Sequence, residues 1–118
     1  MLYSETLKDP KVFSKIYKKG GKTGNIFAVA YFMRNRLPYN RIGITAGKKI
    51  GGAVERNRAK RIIRAAYRKN ELLFPLGFDI VIVARQEIAG KKSQDLDVMF
   101  LKLAKDMKNS ENHPKRNN

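Results

Sequence analysis

The stretch KKIGGAVERNRAKRIIRAAYRK, residues 48–69, is the part of the sequence that decides the fold. From residue 56 to residue 69 it carries seven basic side chains and one asparagine, with no acidic residue among them. On a helix, where successive residues turn by about 100°, its apolar and cationic side chains fall in separate arcs. The apolar arc consists of Ala59, Ile62, Ile63, Ala66 and Tyr67. We therefore predict a helix with one face in the core and one positively charged face.

The cationic arc favours a polyanionic partner. It consists of Asn57, Lys60, Arg61, Arg64 and Arg68, and like charges at this spacing repel by about 0.2–0.5 kcal/mol per pair. A solvated charged face is the plain alternative, but solvated helices commonly mix charges of both signs. Arginine also suits bidentate contact with phosphate. Lys48 and Lys49 precede a flexible Gly51-Gly52 entry, near the helix N–H groups that attract anions. The stretch is thus predicted to clamp a phosphate backbone.

The length, composition and net charge of the chain limit the kinds of protein that it can be. The 118 residues fit one domain, and 26 Lys+Arg against 10 Asp+Glu give a formal net charge of +16 and a pI near 10.4. Nucleic acid is the expected partner. The longest apolar run, residues 26–33, is too short to cross a bilayer, and the N-terminus does not resemble a signal peptide. We therefore expect no membrane partner and a cytoplasmic location, with which the absence of cysteine agrees.

The rest of the chain reads as alternating helices and strands. Asp9-Pro10 and Gly20-Gly21 bracket a predicted helix over residues 10–19. Residues 26–33 and 41–46 predict two strands joined as a hairpin, and FDIVIVA, residues 78–84, predicts a central strand buried on both faces. Ser93 is expected to cap a last helix. We assign residues 1–108 to one domain and residues 109–118 to a disordered polar tail.

Nothing in the sequence predicts a catalytic or metal site on this chain. A protein that cleaves nucleic acid by itself normally needs an acid–base pair or a carboxylate cluster that holds metal. The single histidine, His113, lies in the expected tail, and the acidic residues are scattered singly. Gly21-Lys22-Thr23 matches the end of a phosphate-binding loop, but Ile16 stands where that motif needs its first glycine. Catalytic residues, metal ligands and a small-molecule substrate are therefore not assigned.

The basic stretch also resembles a known family. GKKIGGAVERNRAKRIIR is similar to the signature of the protein component of bacterial ribonuclease P, centred on an Arg-Asn-Arg triplet. Gly47 and Gly52 depart from it, where the family commonly has serine and a longer polar residue. The positions at the family's spacing are Lys48, Lys49, Gly51, Ala53, Val54, Arg56, Asn57, Arg58, Lys60, Arg61 and Arg64.

The resemblance implies a fold and a function as expectations. The implied fold is a small single-domain α/β (α+β) sandwich with a central mixed sheet. In it the basic helix joins two parallel strands by a left-handed crossover, against the usual right-handed rule. The implied partners are the ribonuclease P RNA and precursor tRNA. The RNA subunit performs Mg²⁺-dependent endonucleolytic removal of the 5′ leader, and the protein holds no cofactor, lowers the magnesium requirement and broadens substrate specificity.

The resemblance also assigns two groups of site residues. Lys48, Lys49 and the basic helix are expected to face the RNA subunit through Arg56, Asn57, Arg58, Lys60, Arg61, Arg64 and Arg68. A cleft between the first helix and the sheet is expected to receive the leader. Its aromatic platforms would be Phe13, Tyr17 and Tyr31, with Lys15 and Lys18 beside them. Ordinary core packing is the plain alternative for these rings. A ribosomal or RNA-chaperone protein without a processing role is the alternative for the whole chain.

Overall fold

A five-stranded mixed sheet forms the middle layer of the protein. The computed structural model describes residues 4–112. The strands are β1 (Ser4–Thr6), β2 (Gly21–Gly24), β3 (Ala28–Arg34), β4 (Asn40–Thr45) and β5 (Phe78–Ala84). They lie in the order β1-β4-β5-β3-β2. β4 is parallel to both β1 and β5, whereas β3 is antiparallel to both β5 and β2. The mixed sheet predicted above is confirmed.

Three helices cover the two faces of this sheet. They are α1 (Pro10–Lys19), α2 (Ala53–Asn70) and α3 (Asp97–Asn112). Short 3₁₀ turns lie at Lys48–Ile50, Glu71–Leu73, Gln86–Ile88 and Ser93–Leu96. α1 has the bounds predicted for it. Asp9 caps this helix by accepting a hydrogen bond from the Lys11 N–H at 2.9 Å, and Pro10 occupies its first turn.

β5 divides the apolar core into two layers. Its side chains alternate between the faces, so Ile80 and Ile82 join the cluster under α2 and α3. Val81 faces the other way and packs with Leu7 and Ile16 under α1. The strand has the bounds predicted from FDIVIVA, and its burial on both faces in the middle of the sheet is confirmed. The protein is therefore a three-layer sandwich with β5 at its centre.

The predicted hairpin between residues 26–33 and 41–46 is wrong. These residues do form β3 and β4, but β5 lies between them and pairs with both. The connection turns at Arg36, which has a left-handed φ of 63°, and carries the chain past the width of one strand. An apolar strand such as β5 needs a hydrogen-bonding partner on each edge when it is buried. β5 meets that need by pairing with β3 on one edge and with β4 on the other. The closeness of β3 and β4 in the sequence does not indicate that a third strand lies between them.

The connection from β4 through α2 to β5 joins two adjacent parallel strands. This part of the implied crossover is confirmed, and its left-handed sense stays a prediction.

Two details at the last helix also differ from the prediction. Lys92, not Ser93, precedes the first turn, and its N–H donates to Asp95 Oδ2 at 2.8 Å. The acidic side chain three residues later therefore caps the turn that Ser93 begins. α3 then continues to Asn112, past the start of the expected tail at residue 109. The remainder of that tail, residues 113–118, lies outside the described residues.

A candidate RNA interface

α2 separates its apolar and cationic side chains as its sequence predicts. Its buried residues are Ala59, Ile63, Ala66 and Tyr67, and Ile62 is half-buried. The side chains of the predicted cationic arc are all exposed or half-buried. Burial of the apolar arc fixes the orientation of the helix, so the cationic arc is held toward solvent rather than free to rotate. α2 therefore presents this arc to solvent as a rigid row of positive charge. We call it the cationic row; it consists of Asn57, Lys60, Arg61, Arg64 and Arg68.

Two cations of the basic stretch, Arg58 and Lys69, lie outside the cationic row and contact other parts of the protein. The Arg58 guanidinium donates to the Lys91 carbonyl oxygen at 3.4 Å. Lys69 Nζ lies 3.1 Å from Asp97 Oδ2, at the start of α3. Arg58 thus contacts the segment that leads to α3, and Lys69 contacts the first residue of α3. The acid-free run therefore receives a carboxylate from another element at Lys69, which reduces the repulsion at that end of the helix.

The entry to α2 is shaped by a glycine pair. Gly51 has a φ of 140°, a conformation that side chains rarely adopt, and Gly52 precedes the helix without a side-chain cap. The first N–H groups of α2 are therefore not satisfied by a capping side chain there. Lys48 and Lys49 are exposed and line a depression of about 410 Å³ together with Arg85 and Glu87. Three cations thus gather before the helix and are suited to phosphate, whereas the Glu55 carboxylate lies beside the glycine pair.

The three aromatic residues form one cluster between α1 and the sheet. The Tyr17 ring lies edge-on to Tyr31 at a centroid distance of 5.0 Å and to Phe13 at 6.4 Å. Tyr17 is 43% exposed, and the other two rings are half-buried. A β-carbon at Gly43 would lie 2.5 Å from Phe13 Cζ, so the absence of a side chain there lets this ring reach the sheet. The cluster is part core and part open surface.

The Tyr17 ring contacts the sheet through Tyr31. Partial burial raises the pKa of Tyr17 above its ordinary value, and the Thr45 hydroxyl opposes that rise. The phenol is therefore neutral at physiological pH, and the contacts with Phe13 and Tyr31 position the ring. A fixed neutral ring beside open space can receive a nucleobase on its face.

The aromatic cluster meets the cationic side chains of α2 through one of its rings, Phe13. A depression of about 190 Å³ is lined by Phe13 and Gly43 on one side and by Lys60 and Arg64 on the other. The depression also contacts Thr6, Leu7 and Lys8, where the short strand β1 gives way to α1. A single strand whose bases lie on the rings would thus meet two cations next to its phosphates. We call this combined surface, formed by Phe13, Tyr17, Tyr31, Lys60 and Arg64, the aromatic–cationic cleft.

Comparison with known proteins identifies the family of this chain. Residues 1–108 match the sequence model of the family described as Ribonuclease P. The chain belongs to the ribonuclease P protein family. The resemblance drawn from the basic stretch is thereby confirmed.

Similar ribonuclease P proteins support the assignment in sequence and in structure. The ribonuclease P protein component of Lachnoclostridium phytofermentans is 41% identical over 102 residues, covering 86% of this chain and 88% of that protein. The solved ribonuclease P protein of Thermotoga maritima is 32% identical with a TM-score of 0.75, covering 86% and 96% of the two chains. That of Staphylococcus aureus is 33% identical with a TM-score of 0.74 and the same coverage.

The two lysines expected beside the aromatic rings of this ribonuclease P protein lie at different places on α1. Lys15 lies on the opposite flank of α1 and lines a separate depression with Arg41 and Asp79. Lys18 is exposed on the outer side of α1, about 100° around the helix from Tyr17. The helical turn thus carries Lys15 away from the rings, and the role of Lys18 beside the leader stays a prediction.

Sequence reasoning missed a lysine that does share the face of the rings. Lys22 in β2 is the direct partner of Tyr31 in β3, and antiparallel partners point to the same side of the sheet. Lys22 is exposed, so its ammonium group can reach a strand on the cleft. Its signal was the run Gly21-Lys22-Thr23, which we tested only against the phosphate-binding loop of nucleotide-binding proteins.

The described part of the chain gives two further findings for a ribonuclease P protein. No helix within residues 4–112 is both long and apolar enough to cross a membrane. In the same range no three histidine or acidic side chains are placed to hold a metal ion. His113 lies outside the described residues.

Proposed function

We propose that this protein is the RNA-binding subunit of ribonuclease P and that it grips the 5′ leader of precursor tRNA. The ribonuclease P RNA binds the cationic row of α2 and the lysine pair at its entry. The leader lies in the aromatic–cationic cleft. Hydrolysis belongs to the RNA subunit with its magnesium, and this chain positions the substrate.

The observation that carries the proposal is that Phe13, one ring of the aromatic cluster, shares a depression with two cations of α2. Recognition of unpaired RNA combines aromatic platforms for bases with cations for phosphates. In this protein Phe13 lines the same depression as Lys60 and Arg64, so both elements act on one strand. A ribosomal or chaperone protein needs the charge but has no need for this arrangement. The geometry therefore favours a protein that holds a single strand next to a structured RNA.

The charge of the protein explains how it would assist a reaction between two RNAs. A net charge of +16 lowers the repulsion between the RNA subunit and its substrate. Magnesium ions otherwise supply that screening, so the protein should lower the magnesium concentration at which cleavage occurs. The leader exists only in the precursor, so contacts with it favour precursor over mature tRNA.

Cleavage at low magnesium tests this proposal. Precursor tRNA is incubated with a bacterial ribonuclease P RNA, with and without the protein, at magnesium concentrations where the RNA alone is slow. We expect stimulation with cleavage at the mature 5′ end. The double substitution Arg64→Ala with Arg68→Ala should abolish most of it, because both side chains belong to the cationic row.

A matched control removes equal charge elsewhere. Lys102 and Lys105 are exposed on α3 and belong neither to the basic stretch nor to the aromatic–cationic cleft. Lys102→Ala with Lys105→Ala should preserve stimulation. Tight RNA binding without any stimulation by the unaltered protein would contradict the proposal and favour the ribosomal or chaperone alternative.

A further inference from the structure

A second basic depression lies on the flank of α1 that faces away from the aromatic rings. It has a volume of about 450 Å³, and its polar lining is Lys15, Arg34, Asn35, Arg36, Arg41 and Asp79. Four of these side chains are cations and one is a carboxylate. Lys15 was expected at the leader rings, and the arginines were assigned no role. The proposed function leaves this surface unexplained.

The single carboxylate of the depression, Asp79, accepts hydrogen bonds from two side chains of the same depression. Asp79 accepts from Arg41 Nε and Nη2, each at 2.7 Å, and from Asn35 Nδ2 at 2.9 Å. The Asp79 side chain is 7% exposed, whereas that of Arg41 is 30% exposed. The hydrogen bond with Asp79 also raises the pKa of Arg41. The pair thus forms a fixed floor with part of the guanidinium facing the opening.

The remaining cations of the depression have no carboxylate to neutralise them. Within the described side chains, Lys15, Arg34 and Arg36 lie beyond ion-pair distance of every acid. Arg34 ends β3, and Arg36 follows two residues later, while Lys15 approaches from α1. Three cations from two elements therefore converge on one opening with their charge uncompensated.

The backbone at Arg36 is held in an uncommon conformation. Its φ is 63°, in the left-handed region that costs a residue with a β-carbon about 1 kcal/mol or more. Asn35 holds the turn, because its Oδ1 accepts from the Leu37 N–H at 2.8 Å while its Nδ2 donates to Asp79. The buried carboxylate therefore fixes the loop as well as Arg41. Glycine or asparagine would relieve the strain, yet this position carries an arginine.

We propose that this depression is a second RNA site, which binds backbone phosphate through Arg34, Arg36, Arg41 and Lys15. Guanidinium groups bind phosphate oxygens in pairs, and the open, polar depression suits a chain of phosphates better than a buried ligand. The inference rests on the proposed function, which supplies two sources for that backbone. These are the part of the leader beyond the aromatic rings and a segment of the RNA subunit.

The test uses a variant that keeps the fold. Arg34→Gln with Arg36→Asn removes two charges, and asparagine tolerates the left-handed conformation at position 36. The thermal midpoint should therefore be unchanged or slightly raised. Lys102→Ala with Lys105→Ala provides the charge-matched control on α3.

Two binding arms distinguish the sources of the phosphate. In the first, the reconstituted particle binds precursor tRNAs whose leaders are lengthened one nucleotide at a time. In the second, the protein binds the RNA subunit alone. Each is titrated over a range of potassium chloride. Loss of the contacts should lower the slope of log affinity against log salt by about 0.7 for each single-strand phosphate released.

A smaller slope confined to long leaders assigns the site to the leader, and a smaller slope with the RNA subunit alone assigns it there. Slopes equal to those of the unaltered protein in both arms would overturn the inference. The proposed function has a separate point of failure, since it depends on stimulation of cleavage by the unaltered protein. Unchanged salt slopes for the variant at Arg34 and Arg36, together with stimulation of cleavage by the unaltered protein, would thus reject only the second site.

Discussion

Replacing Tyr17 with alanine removes the most exposed ring of the aromatic–cationic cleft. The ring is 43% exposed and is held edge-on by Tyr31. Stacking of one base on an aromatic side chain is worth about 1–3 kcal/mol, which corresponds to about a 5- to 150-fold change in Kd. We expect Tyr17→Ala to weaken binding of leader-bearing precursor by that factor. Binding of mature tRNA should stay unchanged, because it carries no leader.

The same substitution should leave the protein folded. Full burial of a large apolar side chain contributes about 1.5–3 kcal/mol, and an edge-to-face aromatic pair adds about 0.5–1.5 kcal/mol. Since much of Tyr17 is already in water, we expect a loss of about 1–2 kcal/mol in the free energy of unfolding. Tyr17→Phe keeps the ring and loses only the hydroxyl group. Its affinity for precursor should stay close to that of the unaltered protein.

The assay is equilibrium binding of precursor and mature tRNA to the reconstituted particle at fixed salt and magnesium, with thermal unfolding of each variant. Leu101→Ala serves as a control, because Leu101 is a large exposed side chain on α3. Equal weakening of precursor and mature tRNA by Tyr17→Ala would refute the stacking argument. A loss with Tyr17→Phe as large as that with alanine would also refute it.

Three further predictions concern α2 and its ends. Arg64→Ala should lower the salt slope of binding to the RNA subunit by about 0.7–0.9, whereas Lys69→Ala should lower it less because Lys69 is paired with Asp97. A titration over potassium chloride measures both slopes, and equal slopes would contradict the division of the basic stretch. Burial raises the pKa of Tyr67 to about 12, above its ordinary 10.0. The contribution of the neutral Tyr67 phenol to the free energy of unfolding is therefore complete below pH 10. About 2–3 kcal/mol of the free energy of unfolding is lost as pH rises to 12. Urea unfolding should show this loss in the unaltered protein and not in Tyr67→Phe, and parallel pH curves would exclude it. Gly51→Ala should cost about 1–3 kcal/mol because φ is 140° there, whereas Gly47→Ser should cost less than about 0.5 kcal/mol because a β-carbon at 47 meets no atom within 4 Å. Thermal unfolding of the two variants compares these costs, and similar midpoints would argue against strain at Gly51.

The elements that the sequence predicts best are those with local signals. Asp9-Pro10 fixes the start of α1, and the continuous apolar run of β5 fixes a central strand with correct bounds. β1 and β2 were not predicted, because they have only three and four residues and little apolar content. Such segments become strands only when a neighbouring edge pairs with them, and that neighbour is distant in sequence. The hairpin between β3 and β4 failed for the same reason.

The candidate site shows the same limit at the level of side chains. The helical period correctly separated the faces of α2, and it placed Phe13 and Tyr17 on one side of α1. It did not show which flank of each helix would meet the other elements. That information decides that Lys60 lines the cleft while Lys15 lines a different depression. Such placements follow from strand order and helix docking, which depend on the whole chain.

The position of β5 has a consequence for synthesis of the protein on the ribosome. β5 is the last of the strands described in residues 4–112 to emerge, yet it lies between β3 and β4. Until residue 84 has left the ribosome, these two strands lack their common neighbour and expose apolar edges that favour aggregation. The strong positive charge of the nascent chain opposes such association. α2 emerges before β5, so the strand that completes the sheet beneath it is synthesised after the helix. The RNA-binding surface can therefore become ordered only once β5 joins the two halves of the sheet.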